Sequence, residues 1–117
     1  MRKKLLGMIT VLGLMCCLTV PCVAEQAGLS ATVKNTIYNG QFYYGNGGNV
    51  LRINSMFYEK HSTTGQVYSN SREETVAPGY TSVAVTRKSD LGYNYTTVNF
   101  WGYVNGLCKA TLMGVKS

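Results

Sequence analysis

From Leu29 to Val115 apolar and polar residues alternate largely with a period of two, and no stretch repeats convincingly at helical spacing. A chain patterned this way buries its apolar side chains as one face of a pleated strand, so it must build sheets. Nine tyrosines, three phenylalanines and one tryptophan, with frequent Thr, Val, Ser, Asn and Gly, suit strands and turns. The expected fold is all-β: a small antiparallel β-sandwich of about six or seven strands forming a single domain over residues 25–117.

Leu29, Ala31 and Val33 alternate with Ser30, Thr32 and Lys34 in a first strand continuing toward Tyr38. Asn39-Gly40 offers a tight turn into Gln41–Tyr44, and residues 45–49 (GNGGN) give a second turn signal. Val50–Tyr58 places Leu51, Ile53 and Phe57 on a core face and Arg52, Asn54 and Tyr58 on the other. Glu59–Gly65 is expected as a polar connection, Gln66–Asn70 as a short strand and Ser71–Gly79 as a loop. Tyr80–Lys88 alternates cleanly, with Val83 and Val85 on one face.

Asn105-Gly106 lies between two alternating runs and favours the two-residue hairpin turn that matches strand twist. A simple register sets Val104 opposite Leu107, Gly102 opposite Lys109 and Phe100 opposite Thr111. Val98, Phe100, Val104, Leu107, Met113 and Val115 then share one face. Tyr93, Tyr95, Asn99, Trp101 and Tyr103 share the other with Cys108, Ala110 and Leu112. Either this hairpin is central and covered on both sides, or the Tyr/Trp face is partly exposed and binds something.

Arg2, Lys3 and Lys4 precede an apolar run from Leu5 to Val20 and then Pro21-Cys22-Val23-Ala24. This is the three-part pattern of a secretory signal peptide, so residues 1–24 are expected to be removed and the remainder secreted to the extracellular side. The alternative is an uncleaved anchor, since Leu5–Ala24 is 20 mostly apolar residues and could just span a bilayer. Membrane contact is expected only through this segment.

Cleavage would carry away Cys16, Cys17 and Cys22 and leave Cys108 alone, so no internal disulfide could form. Stability must then come from packing or from self-association, and Cys108 is either a free thiol or a link to another chain. The net charge of +6 for the whole chain would fall to +3, with eight basic residues facing five acids from residue 25 onward. Scattered charge of that size excludes the dense basic stripe that nucleic-acid binding requires.

Motifs for catalysis are missing. His61 and Asp90 are the lone histidine and aspartate, and no serine sits in a nucleophile-elbow sequence. Metal-ligand pairs at short spacing are absent, Glu73 and Glu74 would point to opposite faces of a strand, and residues 45–49 lack the lysine and following helix of a phosphate loop. A non-enzymatic protein with no cofactor is expected. Recognition remains: Tyr, Trp and Asn on a rigid sheet can stack on sugar rings, with Asn amides and Tyr hydroxyls supplying orientation.

Three segments carry a family resemblance: residues 58–64 (YEKHSTT), residues 77–85 (APGYTSVAV) and residues 99–101 (NFW). In these the chain resembles the lactococcin 972 family of small exported bacteriocins. That family tends to show a tyrosine before a His-Ser-x-Thr stretch, a glycine opening a strand of small residues, and an aromatic final strand. Tyr80 or Thr81 stands where the family has a tryptophan, an early histidine-rich segment is lacking, and Gly102–Ser117 extends beyond the family pattern. The resemblance implies a disulfide-free β-sandwich acting on the envelope of related Gram-positive cells, with cell-wall precursor binding. It directs attention to Tyr58, His61, Ser62, Gly79, Phe100 and Trp101.

The candidate binding residues are therefore Tyr58, His61, Tyr95, Trp101 and Tyr103, and the expected partner is a bacterial cell-envelope component or glycan. The first expectation is a secreted sandwich acting at a bacterial surface as a bacteriocin. The second is a carbohydrate- or protein-binding module using the Tyr95, Trp101 and Tyr103 face, and the third is an exported protein that self-associates through exposed sheet edges.

Overall fold

A computed structural model of the chain describes residues 27–45 and 47–116. The signal peptide expected at residues 1–24 lies outside the described residues. Seven strands follow one another: β1 (Ala27–Val33), β2 (Ile37–Tyr44), β3 (Leu51–His61), β4 (Val67–Val76), β5 (Ser82–Lys88), β6 (Tyr93–Val104) and β7 (Leu107–Val115). They form two antiparallel sheets, a smaller one in the order β1-β2-β5 and a larger one in the order β4-β3-β6-β7. The all-β sandwich read from the alternation is the fold observed.

Alternate residues of both sheets meet in the core. The smaller sheet contributes Val33, Tyr38, Phe42, Val83 and Val85, and the larger contributes Leu51, Ile53, Phe57, Tyr95, Val98, Phe100 and Val104. Phe42 and Phe100 interlock across the gap. Gly40 of β2 lies under the Phe100 ring and Gly102 of β6 lies under the Phe42 ring, so that a Cβ at either glycine would overlap the ring above it. Each sheet thus offers a glycine to receive the other's phenylalanine, which sets how closely the layers approach.

That packing corrects the expected Asn39-Gly40 turn. Gly40 sits mid-strand, paired with Ala31 on one side and Val85 on the other, and the chain reverses instead at residues 34–36. Glycine is required there for close approach, not for a left-handed backbone. By contrast, the Asn105-Gly106 turn forms as expected, with φ of 50° and 84° at its two residues. Asn105 also ties the turn to the chain before β3, accepting from Val50 N at 2.9 Å and donating to Asn49 Oδ1 at 2.7 Å.

Two further expectations give way. Glu59–His61 continues β3, with Glu59 fully buried, and the loop expected over Ser71–Gly79 is in large part strand, since β4 pairs with β3 from Val67 to Val76. β4 is an edge strand whose residues are almost all exposed, so burial imposes no alternation on its sequence.

Three bulges reset which way side chains point. Thr96 is an extra residue between the pairs Tyr58–Thr97 and Glu59–Tyr95, so Tyr95 turns into the core, and Tyr93 is half-buried with its ring against His61 and Tyr68. Lys109 is an extra residue between Cys108 and Ala110, which pairs Gly102 with Ala110 and Phe100 with Leu112 in place of the simple register. Ala110 and Leu112 consequently pack against the core, while Leu107 and Met113 are 65% and 58% exposed. A third shift follows between Val98 and Phe100, where Gly114 at φ 70° donates its N–H to Asn99 Oδ1 at 2.7 Å.

Candidate functional site

The outward-facing residues of β3 and β6 form a continuous surface, and none of the described strands covers it. Its cross-strand rows are Arg52 with Tyr103, Asn54 with Trp101, Met56 with Asn99, and Tyr58 with Thr97. Antiparallel neighbours in such rows stand close enough for their side chains to touch. The Arg52 guanidinium lies over the Tyr103 ring, 4.2 Å from its centroid, a cation–π stack. Trp101 and Tyr103 are half-buried, Met56 is 38% exposed, and the Tyr58 hydroxyl meets Met56 Sδ at 3.4 Å.

Two polar atoms on this surface are unmet. Arg52 Nε and Asn54 Oδ1 are closed off from solvent and have no hydrogen-bond partner. Buried polar atoms in folded proteins are almost always paired, so two orphans two residues apart on one strand face mark a place where the fold alone leaves hydrogen bonding incomplete. On the flanking strand β4, Glu73 stands opposite Asn54.

Of the five candidate binding residues, Tyr58, Trp101 and Tyr103 come together on this face. Tyr95 does not. It is 2% exposed, turned inward by the Thr96 bulge, and belongs to the core with Tyr38 and Phe57. His61 also lies elsewhere, at the end of β3, where Nδ1 accepts from Thr63 N and Thr64 N at 3.1 Å each and the ring meets Tyr93 edge-on. It organises its own turn. Among the positions suggested by the family resemblance, Phe100 is core and Gly79 is a turn glycine at φ 112°, so only Tyr58 and Trp101 share the outer face.

The alternation sets Arg52 and Asn54 opposite the core face of β3 and Asn99 beside Trp101 on β6, and it assigns Met56 to neither face. Only the β3–β6 pairing brings them together.

The charged side chains at one end of the core form a second cluster, and here every contact is internal. The Glu59 carboxylate receives Arg87 Nη1 at 2.5 Å and the Asp90 backbone N–H at 3.1 Å. Arg87 also donates to the Tyr95 hydroxyl at 2.8 Å, pairs with Asp90, and lies over the Phe57 ring. Burial pushes the Tyr95 hydroxyl up to about 12, although the Arg87 hydrogen bond pulls the other way. For Arg87 burial works against the charged form, but its bonds to Glu59 and Tyr95 prevail and hold the guanidinium more firmly protonated. Burial likewise raises Tyr38, whose hydroxyl bonds Ser55 at 2.7 Å inside the core. The cluster is a satisfied internal network, which describes a structural role.

The outer face of the smaller sheet is different again. It is a shallow depression of about 300 Å³ lined by Ser30, Thr32, Asn39, Gln41, Ala84 and Thr86, with Thr86 Oγ1 donating to Asn39 Oδ1 at 2.6 Å. Among the described residues no group of three or more His, Cys, Asp or Glu is arranged to hold a metal ion. No protein-family model, curated protein or solved structure matches the chain.

Proposed function

We propose that this protein is a secreted, non-enzymatic recognition module that binds carbohydrate at a bacterial surface through the outer face of its larger sheet. The observation that carries the reading is the Trp101–Tyr103–Arg52 surface. Rigid aromatic faces stack on the C–H side of sugar rings, and flanking Asn and Arg groups address hydroxyls. The core already holds its own aromatics in Tyr38, Phe42, Phe57 and Phe100, so Trp101 and Tyr103 are surplus to interior packing.

The test is glycan-array binding by protein recovered from the medium of an expressing host, beside a Trp101→Ala variant shown to be folded. Binding that survives the substitution would remove this face from the proposal, and absence of the protein from the medium would remove secretion. The resemblance to lactococcin 972 favours a lethal consequence of binding, because Tyr58 and Trp101 carry part of that resemblance and share the face. Growth inhibition of a related Gram-positive strain, lost in Trp101→Ala, is the expected outcome; a folded protein inert against a broad panel counts against the bacteriocin reading while leaving glycan binding standing.

A further inference from the structure

We infer that the sugar taken by this face carries an N-acetyl group, whose secondary amide docks between Arg52 and Asn54. The inference rests on the carbohydrate-binding reading and adds the chemistry of the ligand. Arg52 Nε is an N–H donor without an acceptor, and Asn54 Oδ1 is an acceptor without a donor. A secondary amide offers the complement of both: a carbonyl oxygen for Arg52 and an N–H for Asn54.

The spacing agrees. Residues two apart on a strand are about 6.6 Å apart at Cα and point to the same face. A planar amide holds its oxygen and nitrogen roughly 2 Å apart, and partners at about 2.9 Å on either side span roughly 8 Å. Side-chain rotation closes that difference. Both residues are partly exposed while the two orphan atoms themselves are closed to solvent, so docking requires each side chain to turn outward. The acetyl methyl would then lie toward the Trp101 indole, the cross-strand neighbour of Asn54, and the exposed Met56 next along the strand.

Other ligand groups fit less well. A carboxylate would satisfy Arg52 but set an acceptor against Asn54 Oδ1, and Glu73, opposite Asn54 on β4, opposes any anion there. A plain hydroxyl can bond either atom but brings no apolar group to the aromatic surface. A peptide backbone also contains secondary amides, yet it lacks the flat C–H ring face that Trp101 and Tyr103 are suited to receive.

Calorimetric titration of the full-length protein with three tetrasaccharides tests this: N-acetylglucosamine, glucosamine and glucose oligomers. The N-acetylated chain should bind at least about tenfold more tightly than the other two, the effect of roughly one hydrogen bond. Asn54→Ala and Arg52→Ala should each shrink that ratio toward one, whereas Trp101→Ala should weaken all binding. Equal binding of all three oligomers by the wild-type protein would overturn the N-acetyl assignment and leave the aromatic platform intact. No binding of any oligomer by folded protein would sink the platform reading and the assignment with it. Equal competition by a short acetylated peptide would overturn the choice of sugar.

Discussion

The two outer faces of the sandwich are built by the same alternation and end up chemically opposed. On the smaller sheet, β1, β2 and β5 turn Ser30, Thr32, Asn39, Gln41, Ala84 and Thr86 to solvent, all of them exposed, with Tyr43 near the end of β2 as the one exposed aromatic among the described residues of that face. On the larger sheet, β3 and β6 turn out Arg52, Asn54, Met56, Tyr58, Asn99, Trp101 and Tyr103, most of them only half-exposed because they lean on one another. Small polar side chains are what a solvated sheet face needs for solubility. Large aromatic and cationic ones stacked on a face that none of the described strands covers have no such explanation, and that contrast directs attention to the larger sheet. The aromatic hairpin is resolved in the same way: β6 is central within its sheet, yet among the described residues only its inner side is covered by another layer.

The contrast depends on a shared core that holds both sheets in place, and the strongest way to break it is to strand the buried charge. Arg87→Met would leave Glu59 without its cation in a fully buried position, a loss of about 3–5 kcal/mol. Denaturant unfolding monitored by tryptophan fluorescence reads this directly. Pairing the change with Glu59→Met should restore most of the stability, because the pair itself contributes little beyond satisfying its own desolvation. A double variant as unstable as the single one would show that Glu59 is held mainly by other groups.

Next in size is the interlock of the two sheets. Gly102→Ala should cost about 1–3 kcal/mol by overpacking against Phe42. Gly102→Ala combined with Phe42→Leu should recover part of that loss. If Gly102→Ala alone is neutral in thermal denaturation, the sheets are not held at the spacing the Phe42–Gly102 and Phe100–Gly40 contacts describe.

These particulars mark where the sequence was legible. Alternation placed Leu51, Ile53, Phe57, Val83 and Val85 inside because each strand needs only its own two faces to be told apart, and Asn105-Gly106 announced its turn through backbone preference alone. Single extra residues defeat that reading. Thr96, Lys109 and the stretch around Gly114 each break the parity between the two sides of the bulge, which is why Tyr95, just before Thr96, moves from the aromatic face to the core, and Ala110 and Leu112, after Lys109, turn inward. β4 was obscured for the opposite reason, since a strand exposed on both sides carries no burial pattern. Gly40 mimicked a turn because close packing and tight reversal ask for the same residue. The candidate site itself was half legible: Trp101, Tyr103 and Tyr58 stand out by type, but Arg52 and Asn54 join them only through strand pairing.

Alkaline pH sharpens the picture of the core beneath the two faces. The Tyr95 hydroxyl is raised to about 12 in the folded protein from an ordinary 10, so its contribution is complete below pH 10 and is lost as pH climbs toward 12. Unfolding lets the tyrosine ionise sooner, which favours the unfolded state over that window. The expected fall is roughly 2 kcal/mol, and Tyr38, raised in the same direction, adds to it. Tyr95→Phe should flatten this alkaline limb in pH-dependent denaturation; an unchanged limb would mean that Tyr95 is open to water.

The smallest stability effects are the ones that discriminate most between the faces. Substituting Gln41→Ala on the smaller sheet should change unfolding by less than about 0.5 kcal/mol and leave glycan binding untouched, as expected of a solvated position. Trp101→Ala should cost somewhat more, roughly 1 kcal/mol, because the indole is half-buried beside Asn54. Its loss of binding should be far out of proportion to that change. A surface aromatic retained only for packing would show the reverse, with stability falling and recognition unaffected. Measuring both quantities on both variants therefore separates an outer face that merely meets water from one shaped to meet a ligand.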